Sequence, residues 1–244
     1  MKSLTTLLPV LLAGAALASP LPSALEKRQS AVPYGTVITS CTVPGTIAIA
    51  FDDGPFIYTS QVLDILAANG VPATFFVNGQ NYDSIYNYAG VIQRMVSEGH
   101  QVASHTWGHA DLSTLDYNGI ASQMSQLEDA LRSIIGKAPT YMRPPYFAYS
   151  GDTLSALGSL GYHVITASID TQDWQYQTPE TIGNSVGIFN SLLASGGSIT
   201  LEHDPLQNTV QTLVQDQINA VRAAGLTPVT VGACLGDPAS AWYK

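Results

Sequence analysis

Thr46-Ile47-Ala48-Ile49-Ala50-Phe51-Asp52-Asp53-Gly54-Pro55 is the stretch on which the fold turns. Its first six residues are uncharged, and the run is too short for a helix. It suits a strand buried on both faces. Two carboxylates and Gly-Pro, a turn composition, end it. Ser60–Asn69 then sets Val62, Leu63, Ile65 and Leu66 at helical spacing, and Gly70 stops the pattern. A buried strand, a polar loop and an amphipathic helix make up the repeating unit of parallel sheets.

The unit recurs along the chain. Strands are predicted at Ala73–Val77, Gln101–Ser104, Tyr141–Met142, His163–Ala167, Ser198–Leu201 and Pro228–Val231. Helices are predicted at Val91–Glu98, Gly119–Ile135, Thr153–Leu160, Pro179–Leu193 and Val210–Ala224, the fourth with Pro in its first turn. About seven parallel strands without a composition break predict a single α/β domain. A closed or nearly closed barrel is the first choice and an open doubly wound sheet the second. No Gly-x-Gly-x-x-Gly or P-loop pattern follows any strand, which argues against nucleotide binding.

The 244 residues carry 9 Lys+Arg against 18 Asp+Glu, and no basic run exceeds Lys27-Arg28, so nucleic acid is not an expected partner. Lys2, the apolar run Leu4–Leu17 and the small-residue ending Ala16-Leu17-Ala18 read as a signal peptide over residues 1–18. The run falls short of the roughly 18 to 20 apolar residues of a membrane helix, and no later segment is long enough. Residues 19–28 read as a propeptide closing at Lys27-Arg28. The mature protein is then residues 29–244, with 6 Lys+Arg against 17 Asp+Glu, a net −11, secreted and either extracellular or associated with the cell wall. In an exported chain the two cysteines, Cys41 and Cys234, are expected to pair and tie the ends of the domain together.

The polar, ligand-type residues sit where the predicted strands end. Phe51 leads into Asp52-Asp53-Gly54-Pro55, Ser104 into His105-Thr-Trp-Gly-His109, and Met142 into Arg143-Pro-Pro-Tyr146. His163–Ala167 leads to Asp170-Thr-Gln-Asp173-Trp174, and Ser198–Leu201 to His203-Asp204. In a β/α barrel, that is the face on which active sites are built. Each motif alone has a plainer reading: a turn, a rigid loop, a capping cluster or a structural histidine. Their joint placement is what argues for a site. His100 and His163, near strand starts, are expected to be structural.

His-x3-His on one helical turn, with a carboxylate, can share a metal and leave positions open for catalysis. Asp53, His105 and His109 are the candidate ligands. Asp52, pointing to the other face of an extended strand unless a turn intervenes, is left as general base. His203 is the candidate general acid, kept protonated by Asp173 or Asp170. Arg143 can hold Asp52 ionised, and Trp174 and Leu201 offer an apolar seat for a methyl group. These parts suit metal-assisted hydrolysis of an amide or ester with a small acyl group.

The five ordered motifs resemble the polysaccharide deacetylases (NodB-homology, carbohydrate esterase family 4), the fungal chitin deacetylases most closely, and the resemblance covers about Pro33 to Lys244. Ala73-Thr-Phe-Phe-Val-Asn78 and the ending around Cys234 and Trp242 resemble the fungal branch as well. The resemblance implies a distorted (β/α) barrel and one Zn2+ or Co2+ ion on Asp53, His105 and His109. It also implies Asp52 as base, His203 as acid, Arg143 orienting Asp52, and the Tyr146 backbone N–H binding the oxyanion. Asp173 is the residue expected to tune His203. Ala50 stands where the family commonly has Thr or Ser, at a position that is not a ligand.

The expected substrate is chitin or its oligomers. Trp107, Tyr146, Phe147, Tyr149 and Trp174 are candidates to stack on sugar rings. A monomer is expected, with no membrane partner. Peptidoglycan deacetylase and acetylxylan esterase are open alternatives on the same scaffold. A non-catalytic chitin-binding effector would be expected to have lost a ligand or the base, and none is missing. A non-haem iron oxygenase also uses two His and a carboxylate, but on a barrel of strands alone.

Overall fold

The computed structural model describes Met1 and residues 30–244, so the segments expected over residues 1–28, and the cleavage before Gln29, lie outside the described residues apart from Met1. The ten strands are β1 (Val37–Ile38), β2 (Thr46–Ala48), β3 (Ala50–Asp52), β4 (Thr74–Val77), β5 (Gln101–Ser104), β6 (Tyr141–Met142), β7 (His163–Ile165), β8 (Ile169–Asp170), β9 (Thr200–His203) and β10 (Thr227–Val229). The α-helices are α1 (Thr59–Asn69), α2 (Ala89–Ser97), α3 (Tyr117–Ile135), α4 (Gly151–Ser159), α5 (Gly183–Ala194), α6 (Val214–Ala223) and α7 (Val231–Cys234).

Eight strands form one parallel sheet in the order β1-β7-β6-β5-β4-β3-β9-β8. β7 and β8 are six places apart in that order, which in a flat sheet is about 29 Å. Only Thr166–Ser168 join them in the chain, a span of about 14 Å between flanking Cα atoms at most. The sheet must therefore curl until its two ends nearly meet. The result is an incomplete, distorted (β/α) barrel, as the strand–helix rhythm predicts.

Alternation along β3 and its neighbours sorts the core. Ile49, Phe51, Phe75, Val77 and Val102 face outward and pack with Val62, Leu66, Ile92 and Leu127 of the helices. Ala48, Ala50, Phe76, Ala103 and Ile165 face inward. The inward alanines leave room at the end where the strands begin, and α7 with the turn after it fills that end. The Val231 N–H donates to Thr74 Oγ1 at 2.8 Å and the Gly232 N–H to Gln101 Oε1 at 2.9 Å. Tyr141 donates to Asp237 Oδ2 at 2.8 Å.

Four sequence readings are corrected. The strand read over Thr46–Phe51 is two strands in two sheets: β2 pairs with β10, and β3 with β4 and β9. The strand read over Pro228–Val231 thus lies outside the barrel sheet, and Val231 opens α7, capped by the Thr230 hydroxyl. The helix expected from Pro179 begins at Gly183. The helix expected from Val210 starts with one π turn, Thr209–Leu213. Two-residue strands such as β1 and β8 carry too few residues for periodicity to register.

Cys41 and Cys234 form a disulfide with Cα atoms 5.0 Å apart, spanning 193 residues. Among the described residues no helix is long and apolar enough to cross a membrane.

Candidate active site

The strands deliver their polar ends to one cleft of about 460 Å3, lined by Asp52, Asp53, His105, His109, Asp170 and His203 together with Tyr146, Phe147, Trp174 and Leu201. Strand register sets Asp52 opposite His203 on neighbouring strands. The turn that the sequence reading allowed for does intervene at the strand end. Asp53 takes φ 76°, and that turn brings both carboxylates into the cleft.

His105 and His109 also reach it by a different route from the expected helical turn. They lie on the loop after β5, where Thr106 has φ 72° and His109 φ 51°. The six non-glycine residues with positive φ among the described residues are Asp53, Thr106, His109, Tyr146, Phe147 and Gln172. All belong to loops at the C-terminal ends of strands. Backbone strain concentrated in this way is a mark of functional sites.

Asp53, His105 and His109 place one ligand atom each within 4.8 Å of the others. His105 Nδ1 contacts the Arg143 carbonyl at 2.7 Å, which assigns the ring proton to Nδ1 and leaves the Nε2 lone pair facing Asp53 at 3.5 Å. His109 Nε2 lies 3.1 Å from Asp53 Oδ1, yet that buried oxygen has no hydrogen-bonded partner. The contact is close but poorly directed, as for groups that face a common third atom rather than each other. Burial pushes the Asp53 carboxyl up, but His109, His105 and His203 more than offset it and hold it at about 2. Burial pushes His105 below the usual imidazole range. An ionised carboxylate beside a neutral imidazole is the protonation state that metal ligation requires, and two nitrogens with one oxygen suit a divalent ion with positions left open.

Arg143 is fully buried, its guanidinium 4.3 Å above the Phe76 ring. It donates to Asp52 Oδ1 at 2.7 Å and to the Thr166 and Thr200 carbonyls at 3.0 Å each. On the other side of the cleft His203 Nδ1 meets Asp173 Oδ1 at 2.7 Å. Asp170 does not reach the ring and instead accepts from the Gln172 N–H at 2.9 Å. Burial works to lower the His203 pKa. The Asp173 carboxylate, with Asp53 and Asp52, outweighs it and raises the ring to about 10.

Tyr146 and Trp174 are 72% and 50% exposed at the rim, the Tyr146 ring lying edge-on to His109 with its hydroxyl 3.1 Å from His109 Nδ1, and Leu201 lines the same cleft. Trp107, read as a sugar-stacking candidate, instead packs on the core beneath Gly79, where a Cβ would come within 1.9 Å of its ring. His100 accepts from the Ala73 N–H and His163 contacts the Pro33 carbonyl, both as structural groups at strand starts. The sequence reading missed Asp204, buried under Gly54 and bonded to Thr59, and Thr209, which donates to Asp173 Oδ2 at 2.7 Å. Asp204 was quoted only as the tail of a motif, and nothing in local spacing points to Thr209.

Residues 39–165 match the family model described as polysaccharide deacetylase. The chain belongs to the polysaccharide deacetylase family. It is a hydrolase of that family, whose deacetylases use a divalent metal ion. A chitin deacetylase of Pestalotiopsis sp is 60% identical over 241 residues, covering 99% of this chain and 79% of that protein. A probable peptidoglycan-N-acetylglucosamine deacetylase of Arthroderma benhamiae is 54% identical over 87% of this chain and 49% of its own length. The structure of the chitin deacetylase from Colletotrichum lindemuthianum superposes with a TM-score of 0.86 at 46% identity, covering 87% of this chain and 97% of that one.

Proposed function

We propose that this protein is a secreted, metal-dependent hydrolase that removes N-acetyl groups from N-acetylglucosamine units of chitin or chitin oligomers, giving chitosan and acetate. The observation that carries the reading is one cleft in which Asp53, His105 and His109 converge between a carboxylate held by a buried arginine and an imidazole held by a buried carboxylate. The names of the similar fungal proteins support the choice of chitin.

Asp53, His105 and His109 would hold one divalent ion, Zn2+ or Co2+. When bound, the ion would supply Lewis acidity, lowering the pKa of water towards neutrality and polarising the acetyl carbonyl. Asp52 takes the proton of the attacking water, and Arg143 fixes the carboxylate through a charge-assisted hydrogen bond. As charge develops on the carbonyl oxygen, the Tyr146 backbone N–H donates to it. Trp174 and Leu201 seat the acetyl methyl. His203, held as imidazolium by Asp173, gives its proton to the departing sugar nitrogen, so that the C–N bond breaks to a neutral amine and acetic acid, which ionises to acetate in solvent.

In this reading residues 1–18 are a signal peptide, 19–28 a propeptide and 29–244 the secreted monomeric catalytic domain. Peptidoglycan is the second reading, favoured by the name of the 54% identical relative. Acetate release is the test, measured on chitin oligomers, peptidoglycan and acetylated xylan with and without a chelator. Release from chitin oligomers that a chelator abolishes and Zn2+ or Co2+ restores is the expected result. Release confined to peptidoglycan or xylan moves the substrate assignment. Release indifferent to the chelator overturns the mechanism.

A further inference from the structure

Asp173 is wholly buried and carries three donors. Oδ1 meets His203 Nδ1, while Oδ2 accepts from the His203 backbone N–H and from the Thr209 hydroxyl, each at 2.7 Å. The first two donors belong to a single residue. The backbone donor anchors the Asp173 carboxylate to β9, and the ring donor passes that anchorage on to the His203 imidazole. Thr209 is the third point of attachment, and it comes from a different element.

That element is the π turn Thr209–Leu213, continuous with α6. A π turn holds one residue more than the α turn it replaces, is rare, and recurs at functional sites. One added residue changes the angular position of everything before it by about 100° relative to the helix that follows. Here Val210, Leu213 and Val214 all sink into the core while Thr209 points at Asp173. With an uninterrupted α-helix, the apolar residues and the hydroxyl would compete for that alignment. We propose that Thr209 is a positioning residue for the proton-donating histidine, clamping Asp173 and through it the His203 ring, and that the π turn exists to aim it.

The inference rests on His203 being the proton donor. A donor must meet the departing atom within hydrogen-bond reach, so a ring that pivots by a few tenths of an ångström loses rate without losing substrate. The loss is confined to substrates that need the proton. An amine leaves only when protonated, whereas the phenolate of an activated aryl acetate leaves unaided.

The experiment compares the wild type with Thr209→Val, Thr209→Ser and His203→Ala on a chitin oligomer and on an aryl acetate, with bound metal measured for each. In Thr209→Val, kcat on the oligomer falls about tenfold, the loss of one hydrogen bond to a charged group. KM stays within about twofold, and metal content and the aryl acetate rate are unchanged. Thr209→Ser, which keeps the hydroxyl, restores most of the oligomer rate. Should Val fail to fold at this site, Thr209→Ala removes the same hydroxyl without crowding and is read identically. An equal fall on both substrates makes Thr209 a merely structural residue and overturns the inference, as does no fall on either. His203→Ala separates the two levels. If it keeps oligomer turnover, the proton-donor reading itself is wrong. If it abolishes that turnover while Thr209→Val does not, only the role of Thr209 is wrong.

Discussion

Asp52 and Asp53 are adjacent in the chain, yet their surroundings divide them. Asp52 is buried against Arg143, and Asp53 sits among imidazoles with an oxygen no hydrogen satisfies. Asp52→Asn keeps the ligands and their tautomers, so metal content by elemental analysis should stay at wild type while turnover falls by about 10^2 to 10^4. His105→Ala removes a ligand and should lose the metal itself. The two variants thus fail for different measurable reasons, and a wild-type rate in Asp52→Asn removes the base assignment. His203 is raised to about 10 from an ordinary 6.5, so the stability its pairing with Asp173 adds is fully present below 6.5 and lost as pH rises through 10. In Asp173→Asn only Asp53 and Asp52 are left to oppose the pull of burial. The alkaline limb of the pH–rate profile should move down from about 10, with turnover lower by about 10^2 or more. At this scale the sequence was highly informative, because ligand-type residues are few and were gathered at strand ends. It left the choice between Asp170 and Asp173 open, since three residues of loop do not say which side chain turns inward.

The elements were legible wherever periodicity had length to act on. α3 repeats its apolar residues over five turns and its C-terminal Gly136 has φ 73°, and the sequence reading placed that end correctly. β2 and β3 were read as one strand because the run is uncharged and buried from Ile47 onward, and burial alone does not tell which sheet a strand joins. The loops were the least legible part. Six positive-φ residues carry the cleft, and none is the glycine that local reading associates with such turns. Gly54 is a case where glycine is required by contact instead. A Cβ there would lie 2.1 Å from Asp204 Oδ2. Gly54→Ala should displace Asp204, loosen the loop held by Thr59, and lower both the melting temperature and turnover. Because Asp204→Ala removes the obstructing carboxylate, the double variant should recover part of the stability lost by Gly54→Ala, in a thermal melt of all four proteins.

Across the whole molecule, the two poles of the barrel do different work. The cleft occupies the ends of the strands, and α7, the disulfide and the C-terminal residues occupy their beginnings. Lys244 exchanges backbone hydrogen bonds with Ala138, and the Tyr243 hydroxyl accepts from the Val102 N–H. The disulfide closes a long loop, for which chain-entropy arguments give about 5 kcal/mol as an upper figure. Replacing Cys41 and Cys234 together by Ser should lower the melting temperature by about 5 to 15 °C. Turnover at 25 °C should stay within about twofold, because no cleft residue touches the bridge. Equal turnover and an unchanged melt would show the bridge to be dispensable. The pairing was legible from cysteine number and the expected export. The curl of the sheet was not, since it follows from a three-residue link between strands that lie far apart in the sheet order.

Both ends of the described domain leave from the same pole. Pro33 meets His163 at the start of β7, and Lys244 lies beside Ala138 just ahead of β6. A tether, carrier protein or solid support joined before Ser30 or after Lys244 therefore holds the barrel by its base and leaves the cleft facing outward. An insoluble polymer is then met by the open pole whichever terminus is used for attachment.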